Sequence, residues 1–179
     1  ELTEYCKESF ATTQIMMHVK FREALPKSAV GKVLKRVILE EENPTSAIIR
    51  LNEYNLLNVI HPSITLNKDL FSLFNSVKKV LSWHDLLFLE EPYMKWAVYF
   101  LALTGHCDEK TVEEICNRME IAPRYRTIFT KERFESDRCL SWMERNLSMK
   151  NSTLYHKLSG FKVELALYMM AATQHENVK

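Results

Sequence analysis

Apolar positions recur at helical spacing along most of the chain after residue 43. In the segment 68–83, five of them follow the i, i+3, i+4, i+7 rule of a helix with one buried face. These are Leu70, Leu73, Phe74, Val77 and Leu81. Asn67 precedes the segment and has the side chain of a helix N-cap. The pattern predicts a domain built from amphipathic helices.

The most apolar stretch of the chain covers residues 83–103. It includes eight consecutive apolar residues, at positions 96–103. This run is far below the roughly 20 residues that cross a bilayer, so we expect no membrane partner. Because no polar face interrupts the run, we predict one helix that is buried on nearly all sides. Pro92 fits its first turn and Gly105 fits its end.

Residues 1–42 have a different pattern from the rest. Residues 18–21 alternate in polarity, as in a short strand, while residues 30–42 show a helical stripe. We therefore predict two units. A small α/β-like or helical appendage covers residues 1–42, and an all-α helical bundle or array covers residues 43–179.

Composition narrows the possible partners and the compartment. The net charge of +1 gives no global attraction to nucleic acid, so any basic surface must be local. The chain has only three glycines, which argues against glycine-rich phosphate loops. Four cysteines without metal-like or disulfide-like spacing fit free thiols in a reducing cytoplasm. The first residue is Glu1, and we expect a fragment of a longer protein.

Basic residues cluster in the last third of the chain. Arg124 and Arg126 flank Tyr125, a pattern that suits contacts with phosphates and bases. Acidic residues, among them Glu135 and Asp137, are interspersed with them. Two interpretations therefore stay open: an RNA-binding face, or a solvated helix face of mixed charge.

Other candidate sites are weaker. His106, Cys107 and Cys116 lack the paired short spacings of a zinc site, so we predict no metal site. Glu90 and Glu91 precede Pro92 and are expected to complement a helix N-terminus. The neighbouring His84 and Asp85 have no nucleophile beside them, and hydrolase chemistry is not predicted.

Residues 1–37 contain the stretches ELTEYCKESFA and HVKFREALPKSAVGKVLKR. They resemble the extreme C-terminus of acyl-CoA synthetases, the adenylate-forming enzymes. The resemblance is carried by Pro26, Lys27, Ser28, Gly31, Lys32 and Arg36. It implies that Lys32 is the lysine that reaches the acyl-adenylate. The family's usual Tyr-Lys-x-Pro stretch is absent, since residues 13–17 read TQIMM.

Residues 38–179 resemble the helical body of bacterial tRNA nucleotidyltransferases, within the poly(A) polymerase superfamily and closest to the A-adding subgroup. The landmarks are ILEEENPTSAIIRLNEYNLLNVIHPSI, LSWHDLLFLEEPYMKWAVYFLAL and NSTLYHKLSGFKVELALYMMAAT. In that family two metal-binding aspartates of an N-terminal head catalyse nucleotide addition with Mg²⁺ and ATP, while the helical body holds the tRNA backbone. No Asp-x-Asp pair occurs in this chain.

The second resemblance implies an RNA-binding helical module for 3′-end nucleotide addition to tRNA, without catalysis of its own. Its expected partners are tRNA or another structured RNA and a catalytic domain in cis, and no cofactor is expected in this chain. The residues expected to contact RNA are Arg124, Tyr125, Arg126, Lys131, Arg133, Arg138 and Arg145. The alternatives are a C-terminal lid remnant of an acyl-CoA synthetase that uses Lys32, or an inactive structural or chimeric fragment.

Overall fold

The structure is a computed structural model that describes residues 44–173. Its helices are α1 (Pro44–Glu53), α2 (Leu56–Ile60), α3 (Lys68–Asp85), α4 (Lys95–Thr104), α5 (Glu109–Arg118), α6 (Pro123–Thr127), a π-helical turn (Ile128–Glu132), α7 (Arg133–Arg145), α8 (Asn151–Leu158) and α9 (Val163–Ala172). Within residues 44–173 there is no strand, and the all-α prediction is confirmed. The predicted strand at residues 18–21, Lys32 and the whole 1–42 appendage lie outside the described residues.

The long helix α3 forms where the apolar spacing predicts it. The Asn67 side chain accepts a hydrogen bond from the Leu70 backbone N–H at 2.8 Å, which confirms the predicted cap. Leu70, Phe74 and Val77 are buried in the core. Asp108 caps α5 in the same way, with 2.9 Å between its Oδ1 and the Thr111 N.

Helix α4 lies at the centre of the fold. Its residues from Ala97 to Thr104 are all buried, as expected from a sequence without a polar face. It packs against α3 and α9, and these two helices also pack against each other. A smaller cluster of Leu140, Met143 and Met169 joins α7 to α9. The prediction of a central, fully buried helix is therefore confirmed for residues 97–104.

The predicted start of that helix, with Pro92 in its first turn, is wrong. Residues 83–85 belong to α3, and residues 86–94 form a turn and a non-helical segment before α4 begins at Lys95. Phe88 interrupts the helical path with a φ of 50°. Pro92 lies outside α4, and it disfavours helical geometry at the preceding residue. Several apolar side chains in this segment face solvent, which apolar composition alone could not reveal.

Gly105 follows α4 directly, as predicted, but for a different physical reason. Its φ of −57° is right-handed, so the backbone does not need a glycine there. Instead, a Cβ at Gly105 would lie 2.9 Å from the Tyr168 hydroxyl oxygen. The missing side chain lets α9 approach the end of α4.

None of the helices among the described residues has both the length and the apolar content to cross a membrane.

Candidate nucleic-acid interface

All seven residues expected to contact RNA lie on one run of helix, residues 123–145. Pro123 occupies the first turn of α6, where its missing N–H costs no hydrogen bond. The π-helical turn then joins α6 to α7. A π-turn inserts an extra residue into the helical register, so the side chains that follow it are rotated relative to a continuous α-helix. The seven residues separate into exposed side chains and others that are buried or half-buried.

Arg133 belongs to the buried group and is only 1% exposed. Its Nη1 donates to the Gly105 carbonyl and its Nη2 to the Cys107 carbonyl, each at 2.7 Å. The Nη1 also lies 3.4 Å from the Asp137 Oδ2. The guanidinium therefore ties α7 to the turn after α4, and it lies outside the proposed RNA surface.

Arg126 is half-buried and has a similar structural role. Its Nε donates to the Ile121 carbonyl at 2.9 Å, and its Nη1 donates to the Asn117 side chain. These bonds connect α6 to the end of α5 and to the residues that follow it. Two of the expected phosphate ligands are thus engaged in internal hydrogen bonds.

Tyr125 packs inward rather than standing free for base stacking. Its ring makes an edge contact with Trp96, with 5.5 Å between the ring centroids. Trp96 in turn contacts Phe129, and Phe129 contacts Phe100 in the core. Arg124 is exposed and lies 4.6 Å above the Tyr125 ring. Of the two arginines that flank Tyr125, only Arg124 therefore has its guanidinium exposed to solvent.

Lys131, Arg138 and Arg145 are exposed and line a groove of about 700 Å³. The complete lining, called the basic groove below, is Glu109, Lys131, Phe134, Glu135, Asp137, Arg138, Ser141, Trp142 and Arg145. Arg138 and Arg145 are seven positions apart on α7, close to two helical turns, and so they share one face. Lys131 of the π-helical turn lines the same groove. The structure thereby brings together three of the seven expected residues.

The groove holds as many acidic as basic side chains. Glu109, Glu135 and Asp137 line it together with the three basic residues. Burial raises the pKa of Asp137 above its ordinary value, although the nearby Arg133 acts in the opposite direction. The basic groove is therefore a row of separate cations among acids, and not a continuous positive field.

The groove also contains the aromatic side chain of Trp142, which is not among the seven residues expected to contact RNA. Lys157 of α8 lies over the Trp142 ring, with its Nζ 4.9 Å from the centroid. Trp142 is four positions after Arg138 and three before Arg145, and this spacing is the sequence signal for a shared face. Lys162 pairs with Glu132 at 3.1 Å and does not line the groove.

The remaining candidates have structural roles. Asp85 accepts from the Tyr93 hydroxyl at 2.7 Å and pairs with Lys95 at 2.6 Å. Hydrogen bonds from Lys95 and Tyr93 lower the pKa of Asp85. The carboxylate at the N-terminus of helix α4 is that of Glu164, which accepts a hydrogen bond from the Met94 N–H at 2.9 Å. The expectation that Glu90 and Glu91 complement this helix is therefore wrong, since both are exposed in the preceding segment.

The cysteines are consistent with protonated thiols. Cys107 and Cys116 are buried and free, and burial raises the pKa of Cys116 to about 11. His106 instead contacts the Ser63 carbonyl through Nε2 at 2.7 Å. Over residues 44–173, no three His, Cys, Asp or Glu side chains form a group that could hold a metal ion.

Comparison with known proteins finds a relative among tRNA nucleotidyltransferases. A 147-residue alignment covers 80% of this chain and 17% of the A-adding tRNA nucleotidyltransferase of Geobacter sulfurreducens, with 34% identity. The chain is similar to part of a tRNA nucleotidyltransferase. It spans less than a fifth of that relative's length. No protein-family profile matches the chain.

A solved structure has the same fold. The Thermotoga maritima CCA-adding enzyme, complexed with tRNA, superimposes with a TM-score of 0.66 over 86% of this chain and 36% of that chain, at 15% identity. The nucleotidyltransferase resemblance of the helical region is thus confirmed. The comparisons give no support to the acyl-CoA synthetase resemblance of residues 1–37 or to a chimera.

Proposed function

We propose that this chain is the RNA-binding helical module of a tRNA nucleotidyltransferase and helps to hold tRNA during 3′-end nucleotide addition. The observation that carries the proposal is the 34% identity over 147 residues to an A-adding tRNA nucleotidyltransferase. Its fold is also that of a CCA-adding enzyme whose structure was solved with tRNA. A role in tRNA processing would place the protein in the cytoplasm.

The basic groove is the part of the module that we propose to contact RNA. Arg138 and Arg145 are both on α7, so their Cα atoms are roughly 10 Å apart along the helix axis. With Lys131 they offer three cations to successive parts of an RNA backbone, and Arg side chains can hold phosphates with two hydrogen bonds each. The Trp142 ring adds an aromatic face to the same groove.

We propose that the chemistry of nucleotide addition belongs to a catalytic domain in cis, which would bind ATP and Mg²⁺. The Asp residues of the described region have other partners. Asp85 pairs with Lys95, Asp108 caps α5, and Asp137 pairs with Arg133. Asp69 lies in the first turn of α3. Their dispersal over the fold argues against a pair of metal-binding aspartates within residues 44–173.

The proposal is tested by tRNA binding as a function of salt. We expect measurable binding at low salt that weakens as salt rises, since each neutralised phosphate contributes about 0.9 to the slope of log affinity against log salt on a duplex. Three contacts predict a slope with a magnitude of about 3. Replacing Lys131, Arg138 and Arg145 together by Gln should weaken binding at least about 10-fold, on the order expected for lost charge-assisted contacts, and flatten the slope.

The matched control replaces three exposed cations of other elements by Gln: Arg50, Lys78 and Lys110. It removes the same formal charge from the protein and should change affinity by less than the groove variant does. Equal losses for the two triple variants would mean that only net charge matters. That result, or no binding at low salt, would overturn the assignment of the groove.

A further inference from the structure

A turn of four large apolar residues stands out from the surface after α3. Leu86, Leu87, Phe88 and Leu89, called the apolar turn, are 70%, 44%, 86% and 58% exposed. Trp83, in the last turn of α3, is 48% exposed. Single exposed apolar residues are common, but a contiguous group usually marks a contact surface.

The apolar turn is held in a defined conformation. Backbone N–H groups of Leu86 and Leu87 donate to the carbonyls of Ser82 and His84, at 3.3 and 3.0 Å. Asp85, directly before the turn, binds both Tyr93 and Lys95, which joins the end of α3 to the start of α4. The apolar side chains therefore stand on a turn whose backbone is held by hydrogen bonds.

Phe88 at the tip of the turn has an uncommon backbone conformation. Its φ of 50° lies in the left-handed region, which bulky residues rarely occupy. Such positions are found where the surrounding structure or a function requires them. Phe88 is also the most exposed apolar side chain of the apolar turn.

A concave apolar surface lies next to the turn. It has a volume of about 420 Å³ and is lined by Ser76, Lys79, Val80, Trp83 and Met170, called the apolar hollow. Val80, Trp83 and Leu87 follow at spacings of three and four residues, so they lie on one face of α3 and its continuing turn. The apolar turn and the apolar hollow are thus neighbours at one end of α3.

The charges beside these two features are opposite. Lys79 is exposed and lines the apolar hollow, while Glu90 and Glu91 are exposed directly after the apolar turn. A partner that inserts an apolar side chain into the hollow and carries carboxylates beside it would match Lys79. The chain itself has this combination in the apolar turn and its two glutamates.

We propose that the partner at this surface is a second copy of the chain. Each copy inserts Phe88 into the apolar hollow of the other, and Glu90 and Glu91 of each approach Lys79 of the other. The apolar turn and the apolar hollow are neighbours on one surface, so a twofold axis can form both contacts at once. Such an arrangement gives a closed dimer and not a filament. The acidic flank disfavours RNA as the occupant.

The experiment is sedimentation equilibrium of the chain over a wide concentration range. We expect a reversible monomer–dimer equilibrium. Phe88→Ser should weaken dimerisation by about 30-fold or more, as expected for a central aromatic anchor. The control Tyr155→Ser removes an aromatic side chain that is 70% exposed on α8 and should leave the equilibrium unchanged.

Charge reversal tests the pairing directly. Lys79→Glu should weaken the dimer, and adding Glu90→Lys and Glu91→Lys in the same chain should restore it. A monomer at all concentrations would overturn the proposal, and so would a dimer that Phe88→Ser leaves intact. Loss of tRNA binding in Phe88→Ser without any dimer would assign the surface to RNA and also overturn it.

Discussion

At the scale of single residues, Arg133 and Arg138 show how similar side chains in one helix acquire different roles. Arg133 is 1% exposed and donates to two backbone carbonyls, while Arg138 is exposed in the basic groove. The two carbonyls belong to Gly105 and Cys107, in the turn after α4, so the guanidinium supplies the donors that these groups lack. Arg133 is therefore part of the core.

Arg133→Met is expected to destabilise the fold by about 3 kcal/mol. The substitution leaves two carbonyl groups without their donors and removes the cation beside Asp137, and each buried unsatisfied group costs about 1–3 kcal/mol. Arg138→Met should change the free energy of unfolding by less than about 0.5 kcal/mol, since it is exposed. Urea unfolding of both variants measures the difference, and equal values would contradict the structural role of Arg133.

The pattern of charges does not separate these two arginines, since basic and acidic residues alternate around both. Helical spacing does give a signal for Arg133, because Phe129 lies four positions before it and Leu140 seven after it. The π-helical turn before Arg133 changes the register of α7, and no residue in IFTKE predicts it. Which cations face the groove therefore depends on tertiary packing.

At the scale of elements, helix periodicity and capping are the reliable signals. Asn67 and the apolar spacing of α3 predict that helix correctly, because both depend only on local geometry. The prediction that Pro92 lies in the first turn of the buried helix is wrong, since α4 begins three residues later at Lys95. The exposed path of residues 86–92 depends on the Phe88 backbone and on the Asp85 contacts, which link residues of different elements.

The junction of α4 and α9 gives a prediction for Gly105. In a right-handed conformation, Gly→Ala normally stabilises by about 0.4–1 kcal/mol through the unfolded state. At Gly105 the new Cβ would lie 2.9 Å from the Tyr168 hydroxyl oxygen, so we expect Gly105→Ala to destabilise by about 1–2 kcal/mol, as in overpacked sites.

Two further variants isolate the cause in thermal or urea unfolding. In a Tyr168→Phe background the hydroxyl is gone, and the cost of Gly105→Ala should largely disappear. Gly160→Ala is the matched control, since a Cβ at Gly160 would meet nothing within 4 Å and no glycine in the described region has positive φ. An unchanged cost in the Tyr168→Phe background would exclude the hydroxyl contact as the reason.

At the scale of the whole molecule, the two proposed surfaces are built from different elements. The basic groove is formed by Glu109 of α5, the π-turn and α7, whereas the apolar turn and hollow use α3, the segment after it and α9. They have no lining residue in common. RNA binding and self-association should therefore be separable by mutation.

We expect a double dissociation. Phe88→Ser should weaken dimerisation and leave the affinity per tRNA site within about 2-fold, because additivity holds for sites without shared partners. The triple Gln variant of Lys131, Arg138 and Arg145 should weaken tRNA binding and leave the dimer unchanged. Both quantities are measured on the same preparations, by sedimentation for the dimer and by titration with tRNA below the dimer dissociation constant. If Phe88→Ser lowers affinity at such concentrations, where the protein is monomeric, the apolar turn itself contributes to RNA binding, and that result would contradict the separation of the two surfaces.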